Sequence, residues 1–320
     1  MKPFDYALAE NEAGALAALE RGYRPKAGGI DLLDLLKERE EAPDAMVSIA
    51  ALRGVEPVRR EPSGALVLDP LMTLAELEAA MAAPCPALAQ SIAQAATPQI
   101  RAVATIGGNL LQRPRCWYFR SADFPCLKKG GSTCYAVEGE NRFHALIGGG
   151  PCHIVHASSL AHALVALDGQ LTLTSRKGTR TVSAEQFFTL PDANIAVENQ
   201  LATDELLTAI TIPRALTESA TVEFKEKQTF DWPLAAATAA RHPSGWRVVL
   251  GFVAPTPWRD GAAETVLGTT ADVSPALAAR AADAALADAT PMSNNAWRLP
   301  LARAAVRRAI LQANGKEIDA

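Results

Sequence analysis

Residues 105 to 134 read TIGGNLLQRPRCWYFRSADFPCLKKGGSTC, and this stretch decides how the rest of the chain is interpreted. It begins as a glycine turn, Gly107-Gly108, of the kind that brings backbone N–H groups close to a phosphate. It then runs into a loop that carries three of the chain's five cysteines. The sequence therefore predicts two kinds of cofactor site side by side.

Length and charge narrow the class of protein. The chain has 320 residues, enough for about two or three domains. A net charge of -4 and a pI near 5.8 argue against a nucleic-acid partner, because neutralising phosphates requires a basic surface. No apolar run approaches the length of a membrane span, and the N-terminus lacks the apolar core of a signal peptide. We therefore expect a protein that folds in the cytoplasm and has no membrane span.

Hydrophobic periodicity predicts a chain that mixes helices and strands. Helices are predicted over residues 11–22, 74–82, 86–96, 153–169, 233–240, 275–289 and 297–313. Strands are predicted over residues 46–49, 65–68, 171–174, 179–182, 205–212, 221–227 and 246–253. The strand that stops at Pro213 is followed by a polar link up to Ser219, and we place the domain boundary there.

A second glycine turn lies near the N-terminus, where residues 26 to 33 read KAGGIDLL. Neither turn is a G-x-G-x-x-G fingerprint or a P-loop, and each alone is typical of an ordinary tight turn. Both, however, are followed by Leu-Leu, and a helix that begins after such a turn adds its positive end to the converging amides. We therefore expect the two turns to hold one diphosphate. The predicted residues are Lys26, Ala27, Gly28, Gly29, Ile30, Asp31, Leu32, Leu33, Thr105, Ile106, Gly107, Gly108 and Asn109.

The cysteine loop supplies four thiols in the pattern Cys116-x9-Cys126-x7-Cys134-x17-Cys152. This is neither the paired spacing of a zinc ribbon nor the run found in bacterial ferredoxins. Spacing and charge leave three alternatives open: an iron–sulfur cluster, a zinc ion, and free or disulfide-bonded cysteines. Cys85 is interpreted as a bystander. The loop also carries five cations against a single Asp123, and we expect them to offset the charge of a cluster. They are Arg113, Arg115, Arg120, Lys128 and Lys129.

The combination KAGGxDLL and ATIGGNLLQRxRC resembles the FAD-binding medium subunit of molybdenum hydroxylases, the xanthine oxidase family. The resemblance covers nearly the whole chain, including Asp204 to Leu207, Phe224-Lys225 and residues 254–259. It implies an α+β fold: a vanillyl-alcohol-oxidase or PCMH-type FAD-binding domain of two α/β subdomains over residues 1–215. A small α+β C-terminal domain, like that of CO-dehydrogenase flavoproteins, would follow over residues 216–320.

The resemblance also assigns roles to residues. Residues 26–33 and 105–109 would hold the FAD, and Leu207 and Lys225 would lie near the flavin. Ser159 stands in the segment His156-Ala157-Ser158-Ser159, where the family usually has an aspartate beside the flavin.

The cysteines resemble those of a subset of the family that binds a [4Fe-4S] cluster in an insertion, here about residues 112–152. That subset includes heterotrimeric periplasmic aldehyde oxidoreductases, which the chain resembles most, and 4-hydroxybenzoyl-CoA reductases. The resemblance implies Cys116, Cys126, Cys134 and Cys152 as the cluster ligands. The implied function is electron transfer from [2Fe-2S] clusters to FAD and on to an external acceptor, with no catalytic residue of substrate oxidation on this chain.

The partners implied are a large molybdenum-cofactor subunit and a small [2Fe-2S] subunit. A partner with a twin-arginine signal could carry the folded complex to the periplasm. Two alternatives stay open: the beta subunit of a 4-hydroxybenzoyl-CoA reductase-like or other molybdenum hydroxylase, and, from another class, a zinc-stabilised binding module.

Overall fold

Three β-sheets organise the chain in the computed structural model, which describes residues 2–227 and 230–316. The first sheet is parallel, in the order β1–β3–β2. Its strands are β1 (Asp5–Leu8), β2 (Arg24–Lys26) and β3 (Ala45–Ser48). The helices α1 (Glu12–Glu20) and α2 (Ile30–Glu38) connect these strands, as parallel neighbours require. This unit therefore places the first glycine turn between a strand and the start of α2.

The second sheet is antiparallel and has five strands in the order β4–β5–β8–β6–β7. These strands are β4 (Val58–Arg60), β5 (Leu66–Leu68), β6 (Gln170–Ser175), β7 (Gly178–Ser183) and β8 (Leu206–Ile212). The helices between them are α3 (Leu74–Met81), α4 (Pro86–Ala93), α5 (Pro98–Arg101), α6 (Ile106–Leu110), α7 (Ala161–Ala166) and α8 (Ala184–Phe187). Apolar side chains of the sheet and these helices form one buried core. This core fixes α6, and with it the second glycine turn.

The third sheet is antiparallel, in the order β11–β10–β9, and the last three helices pack with it. Its elements are β9 (Ser219–Phe224), β10 (Ala235–His242), β11 (Gly245–Gly251), α9 (Ala262–Leu267), α10 (Pro275–Ala284) and α11 (Leu299–Ala313). The chain passes from the second sheet to the third between Ile212 and Ser219, where the sequence predicts the domain boundary. The predicted C-terminal domain runs to residue 320, and residues 317–320 lie outside the described part.

One predicted helix, over residues 233–240, is wrong: from Ala235 onward these residues belong to the central strand β10, which pairs with both neighbours. Its run of alanines favours a helix by intrinsic propensity. A strand forms instead because pairing with β9 and β11 satisfies its backbone hydrogen bonds on both sides. Its small side chains also let other elements pack closely on both faces of the sheet. Ala235, Ala236, Ala237, Ala239 and Ala240 are all fully buried.

A second predicted helix is largely wrong, because only Ala161–Ala166 of residues 153–169 is α-helical. The segment before it bonds to other parts of the chain instead. The backbone N–H of Ala145 donates to His153 O at 2.9 Å, and that of His156 donates to Ala254 O at 2.8 Å. These contacts tie residues 153–156 to the cysteine loop and to the end of the third sheet, so an extended backbone replaces the first turns of the predicted helix.

Candidate functional site

A cavity of about 950 Å³ brings the two glycine turns together. All the predicted cofactor-binding residues except Leu33 and Ile106 line it: Lys26, Ala27, Gly28, Gly29, Ile30, Asp31, Leu32, Thr105, Gly107, Gly108, Asn109, Ser159, Leu207 and Lys225. Leu33 packs back against Gly29, and Ile106 is fully buried in the core of the second sheet. Two glycine segments and three single positions that the resemblance implied, Ser159, Leu207 and Lys225, therefore line one cavity, although the role of each residue in binding stays a prediction.

The first turn packs directly against the residues just before the second glycine pair. A Cβ atom added at Gly28 would lie 2.2 Å from Val103 O, closer than real side chains approach a backbone oxygen, so only glycine allows this packing. One added at Gly107 would lie at a tight 3.0 Å from Pro70 O. Val103 lies just before the second turn, and the contact therefore sets the spacing between the two turns.

The first turn offers backbone amides that have no acceptor among the described residues. Gly29 precedes α2 in a left-handed conformation, with φ 80°, and it has no side chain to cap the helix. The amides of Ile30, Asp31 and Leu32 belong to the first turn of α2, where a helix has no internal acceptors. These residues line the cavity, so the positive end of a nine-residue helix lies at its wall. This arrangement suits a diphosphate.

The second glycine pair differs from this expectation: Gly107 and Gly108 lie within α6, whose N-cap is Thr105, and are not a turn before a helix. The amides of this segment also have acceptors in the protein already. The N–H of Ile106 donates to Met72 O at 2.9 Å, and that of Gly107 donates to Pro70 O at 2.8 Å. The N–H of Gly108 donates to the hydroxyl oxygen of Thr105 at 3.1 Å. In this state the second turn contributes shape and close approach to the cavity, while the first turn contributes the free amides.

Asn109 links the second turn to the segment that carries Ser159. Its side-chain oxygen accepts hydrogen bonds from the Ser158 hydroxyl at 2.7 Å and from the Leu160 N–H at 3.2 Å. The Ser158 oxygen in turn accepts from the backbone N–H of Ala161 at 3.0 Å. The Asn109 side chain is therefore used within the protein, and it positions the neighbouring Ser159 at the cavity wall.

Several residues that line the cavity were not predicted from the sequence. They include residues 95–97, residues 196–199, Gln112, Arg113, Arg115 and residues 230–233. Arg115 lies over the ring of Trp232, 4.8 Å from its centroid, and so joins the cysteine loop to the C-terminal part of the wall. These residues belong to loops without periodicity, and nothing in their local sequence indicates that they meet.

The four cysteines of the loop lie in one region and none forms a disulfide. A hydrogen bond from the Cys152 thiol lowers the pKa of Cys134, and the same pairing raises the pKa of Cys152. Burial raises the pKa of Cys116 to about 11, and the nearby Cys126 and Cys134 add to this effect. Within residues 2–227 and 230–316, no three His, Cys, Asp or Glu side chains stand close enough to hold a single metal ion.

Cys85 lies apart from this group. It is fully buried at the start of α4 and packs in the core of the second sheet, where burial raises its pKa. This position agrees with its interpretation as a bystander.

Three cations of the cysteine loop pair with carboxylates of α2 or of the residues just after it. Arg120 donates to Asp31 at 2.8 Å, Arg115 lies 2.9 Å from the same carboxylate, and Lys129 donates to Glu40 at 3.1 Å. The expectation that the loop cations offset the charge of a cluster stays a prediction, since these ion pairs do not test it. The pairs dock the cysteine loop on the helix whose first turn lines the cavity.

A buried ion pair adds a second attachment between the loop and the cavity wall. Lys128 Nζ lies 2.6 Å from Glu198 Oε1, and the two side chains are 1% and 5% exposed. Glu198 lines the cavity and also lies 2.8 Å from Arg113 Nε. Lys128 is in addition close enough to Cys152 to lower the pKa of that thiol. The cysteine region and the cavity therefore share a wall.

The C-terminal part of the chain holds the loop through Arg298, which is 1% exposed. Its guanidinium donates to three backbone oxygens: His144 O at 2.7 Å, Leu234 O at 2.6 Å and Phe252 O at 2.6 Å. The Nε2 atom of His144 lies 3.2 Å from Cys116 Sγ, and burial lowers the pKa of His144 to about 4. Arg298 thus joins the third sheet to the residue that contacts Cys116.

Known proteins resemble the chain at both the sequence and the structural level. The family described as the FAD binding domain in molybdopterin dehydrogenase matches residues 2–215. The chain is 31% identical over 325 residues to the aldehyde oxidoreductase FAD-binding subunit PaoB of Escherichia coli (strain K12), covering 99% of this chain and 100% of the relative. It is 27% identical over 328 residues to the carbon monoxide dehydrogenase medium chain of Afipia carboxidovorans, covering 98% and 97%.

Two solved structures share the fold over almost the full length. The Cu,Mo-CO dehydrogenase structure has a TM-score of 0.74 at 24% identity, covering 99% of this chain and 100% of that one. The quinoline 2-oxidoreductase structure from Pseudomonas putida 86 has a TM-score of 0.75 at 23% identity, covering 98% and 99%. These matches confirm the predicted fold class. In the described part of the chain, every helix is too short or too polar to cross a membrane.

Proposed function

The chain belongs to the family of FAD-binding domains of molybdopterin dehydrogenases and is an oxidoreductase subunit that binds FAD. We propose that it is the FAD- and [4Fe-4S]-containing electron-transfer subunit of a heterotrimeric, molybdenum-dependent aldehyde oxidoreductase. The observation that carries this proposal is the shared cavity, where the first glycine turn presents free amides next to the cysteine loop. The full-length similarity to an aldehyde oxidoreductase FAD-binding subunit supports the reaction class.

The cavity fits FAD by its chemistry. The amides at the start of α2 would receive the diphosphate, and the close approach of Gly28 to Val103 would keep both turns against it. Asn109 and Ser158 hold the wall that carries Ser159, and Leu207 and Lys225 extend the wall from β8 and the end of β9. When bound, FAD supplies the exchange of electrons between one-electron carriers and an acceptor. The protein contributes position, exclusion of water and local charge.

We propose an iron–sulfur cube, and not a single ion, for the cysteine region. A cube is wider than an ion, so its four thiolate ligands stand further apart than those of zinc. Among the described residues no three metal-binding side chains meet closely enough for one ion, while Cys134 pairs with Cys152, and Cys126 and Cys134 lie near enough to Cys116 to raise its pKa. Phe119, Tyr135 and Leu35 pack around Cys116 and Cys126 and form a partly dry surround. We propose these four cysteines as the cluster ligands.

The proposed complex contains two further subunits. A large subunit with the molybdenum cofactor would oxidise the aldehyde, and a small subunit with [2Fe-2S] clusters would pass electrons to this chain. In this assignment the large subunit oxidises the substrate, and the present chain transfers electrons. The complex would fold in the cytoplasm. It would stay there or, with a partner that carries a twin-arginine signal, be exported to the periplasm.

Flavin and metal quantitation on the purified complex tests the proposal. We expect about one FAD per chain, and about four irons per chain in addition to the irons of the [2Fe-2S] clusters, with flavin absorbance and a broad iron–sulfur shoulder. Co-purification of molybdenum and [2Fe-2S] subunits is expected as well. One zinc per chain with neither iron nor flavin would overturn the proposal in favour of a zinc-stabilised binding module. FAD with no iron beyond that of the [2Fe-2S] subunit would retain the flavoprotein and remove the cluster.

A further inference from the structure

A buried acidic residue, Glu223, stands behind the cavity wall. Residues alternate between the two faces of a strand, so Thr221 and Glu223 share one face of β9, and Lys225 continues that face just past its end. The edge of β9 that β10 does not cover meets α4: the backbone N–H of Thr221 donates to Gln90 Oε1 at 2.8 Å. Lys225 reaches the end of the same helix, where its ammonium donates to Gln94 O at 2.9 Å.

The ammonium of Lys225 is held from two directions. Its Nζ lies 3.0 Å from Glu223 Oε2, and the two side chains are 4% and 8% exposed. The other contact, Gln94 O, belongs to the C-terminal end of α4, where the helix dipole favours a cation. An ammonium has three N–H groups. These two acceptors account for two of them, and Lys225 itself lines the cavity.

Stability alone does not explain this pair. A buried Lys–Glu pair contributes little compared with apolar side chains of the same size. The second carboxylate oxygen, Glu223 Oε1, is buried and has no hydrogen-bond partner among the described residues. Burial also raises the pKa of Glu223 to about 7, and Lys225 counters part of this rise. A buried carboxylate oxygen without a hydrogen-bond partner lowers stability, and such groups are typical of functional sites.

We propose that Glu223 is a positioning residue for the cofactor: it fixes the Lys225 ammonium at the cavity wall so that the third N–H donates to an oxygen of bound FAD. The inference rests on the proposed function, since it requires FAD in this cavity. The oxygen acceptor belongs either to a phosphate or to a carbonyl of the flavin ring, and both are electron-rich. Glu223 acts through Lys225 and does not itself touch the cofactor.

A double-mutant cycle tests this role in the full-length protein. FAD is removed and titrated back into the wild type, Lys225→Met, Glu223→Gln and the double variant, and flavin fluorescence gives each Kd. Loss of one charge-assisted hydrogen bond should raise the Kd of Lys225→Met by about 10- to 100-fold. Glu223→Gln should raise it less, and the double variant should match Lys225→Met because the second change has nothing left to act on. Glu226→Gln, an exposed neighbour, is the matched control and should leave the Kd unchanged.

The flavin midpoint potential of the same variants identifies the acceptor. A shifted potential in Lys225→Met and Glu223→Gln places the contact on the flavin ring, and a weaker affinity at unchanged potential places it on the phosphates. Either result supports the proposal. Additive losses in the double variant, or a wild-type Kd in Glu223→Gln, would overturn it while the wild type still binds FAD. Absence of FAD from the wild type would instead remove the proposed function.

Discussion

Replacing Gly28 by alanine tests the contact that brings the two glycine turns together. The new Cβ would lie 2.2 Å from Val103 O, whereas ordinary contact begins near 3.4 Å. The two segments would therefore have to separate by about 1.2 Å, the difference between these values. Backbone oxygens cannot rotate away as a flexible side chain can, so the turn itself must move.

The movement has two consequences of estimable size. Overpacking of this kind costs about 1–3 kcal/mol of unfolding free energy. A shift of about an ångström also misdirects the amides at the start of α2, and losing one bond to a charged phosphate costs about 1.5–3 kcal/mol. We therefore expect Gly28→Ala to bind FAD about 10- to 100-fold more weakly than the wild type.

Fluorescence titration of the flavin-free protein with FAD measures this change, and urea unfolding of the same samples measures stability. Gly14→Ala in α1 is the control, because its Cβ would meet Asn11 Oδ1 at an ordinary 3.4 Å. It should leave the Kd unchanged. A Gly28→Ala protein that folds normally and binds FAD within about twofold of the wild type would refute the steric reasoning.

Three further predictions concern buried charges. Arg298→Met leaves Leu234 O and Phe252 O without their guanidinium donor and His144 O with only its bond from Asn295, so it should lower the free energy of unfolding by about 3 kcal/mol or more, against a change within about 0.5 kcal/mol for the exposed Arg307→Met. Equal urea midpoints for the two would contradict this. Lys128→Met removes one of the two cations that contact the buried Glu198 and leaves Arg113 in place, so it should cost about 1–3 kcal/mol in the same assay, part of which Lys128→Met with Glu198→Gln should restore. The pKa of Glu223, raised by burial to about 7, lies above its ordinary 4.5, so the folded protein holds this proton more tightly. The resulting stabilisation is fully present below pH 4.5 and is lost as the pH rises to about 7. Relative to Glu223→Gln, the wild type should therefore lose on the order of 3 kcal/mol between these pH values, and a constant difference in urea unfolding would be the contrary result.

The glycine turns could be predicted because their requirements are local. Gly28-Gly29 lies between a strand and an apolar helix, and such a pair already indicates close backbone approach. Gly107-Gly108 lies inside the short helix α6 instead, but the structure still places both pairs at one cavity. Strands in which apolar and polar residues alternate clearly could be predicted as well, such as those of the hairpin of β6 and β7. In these cases the chain within a few residues carries the information that determines the structure.

Features that depend on distant partners could not be predicted. The alanines of β10 favour a helix until β9 and β11 pair with them. The cations of the cysteine loop were judged against Asp123 alone, whereas their carboxylate partners lie about eighty residues earlier in α2. Glu223 carries no local signal either, since its importance comes from the approach of α4 and from its place behind the cavity wall.

A structure of the FAD-loaded protein shows directly whether the start of α2 binds the diphosphate. We predict the diphosphate between Gly28-Gly29 and Gly107-Gly108, with its oxygens within hydrogen-bond distance of the backbone amides of residues 30–32. A diphosphate bound away from the start of α2, with those amides still facing solvent, would contradict it.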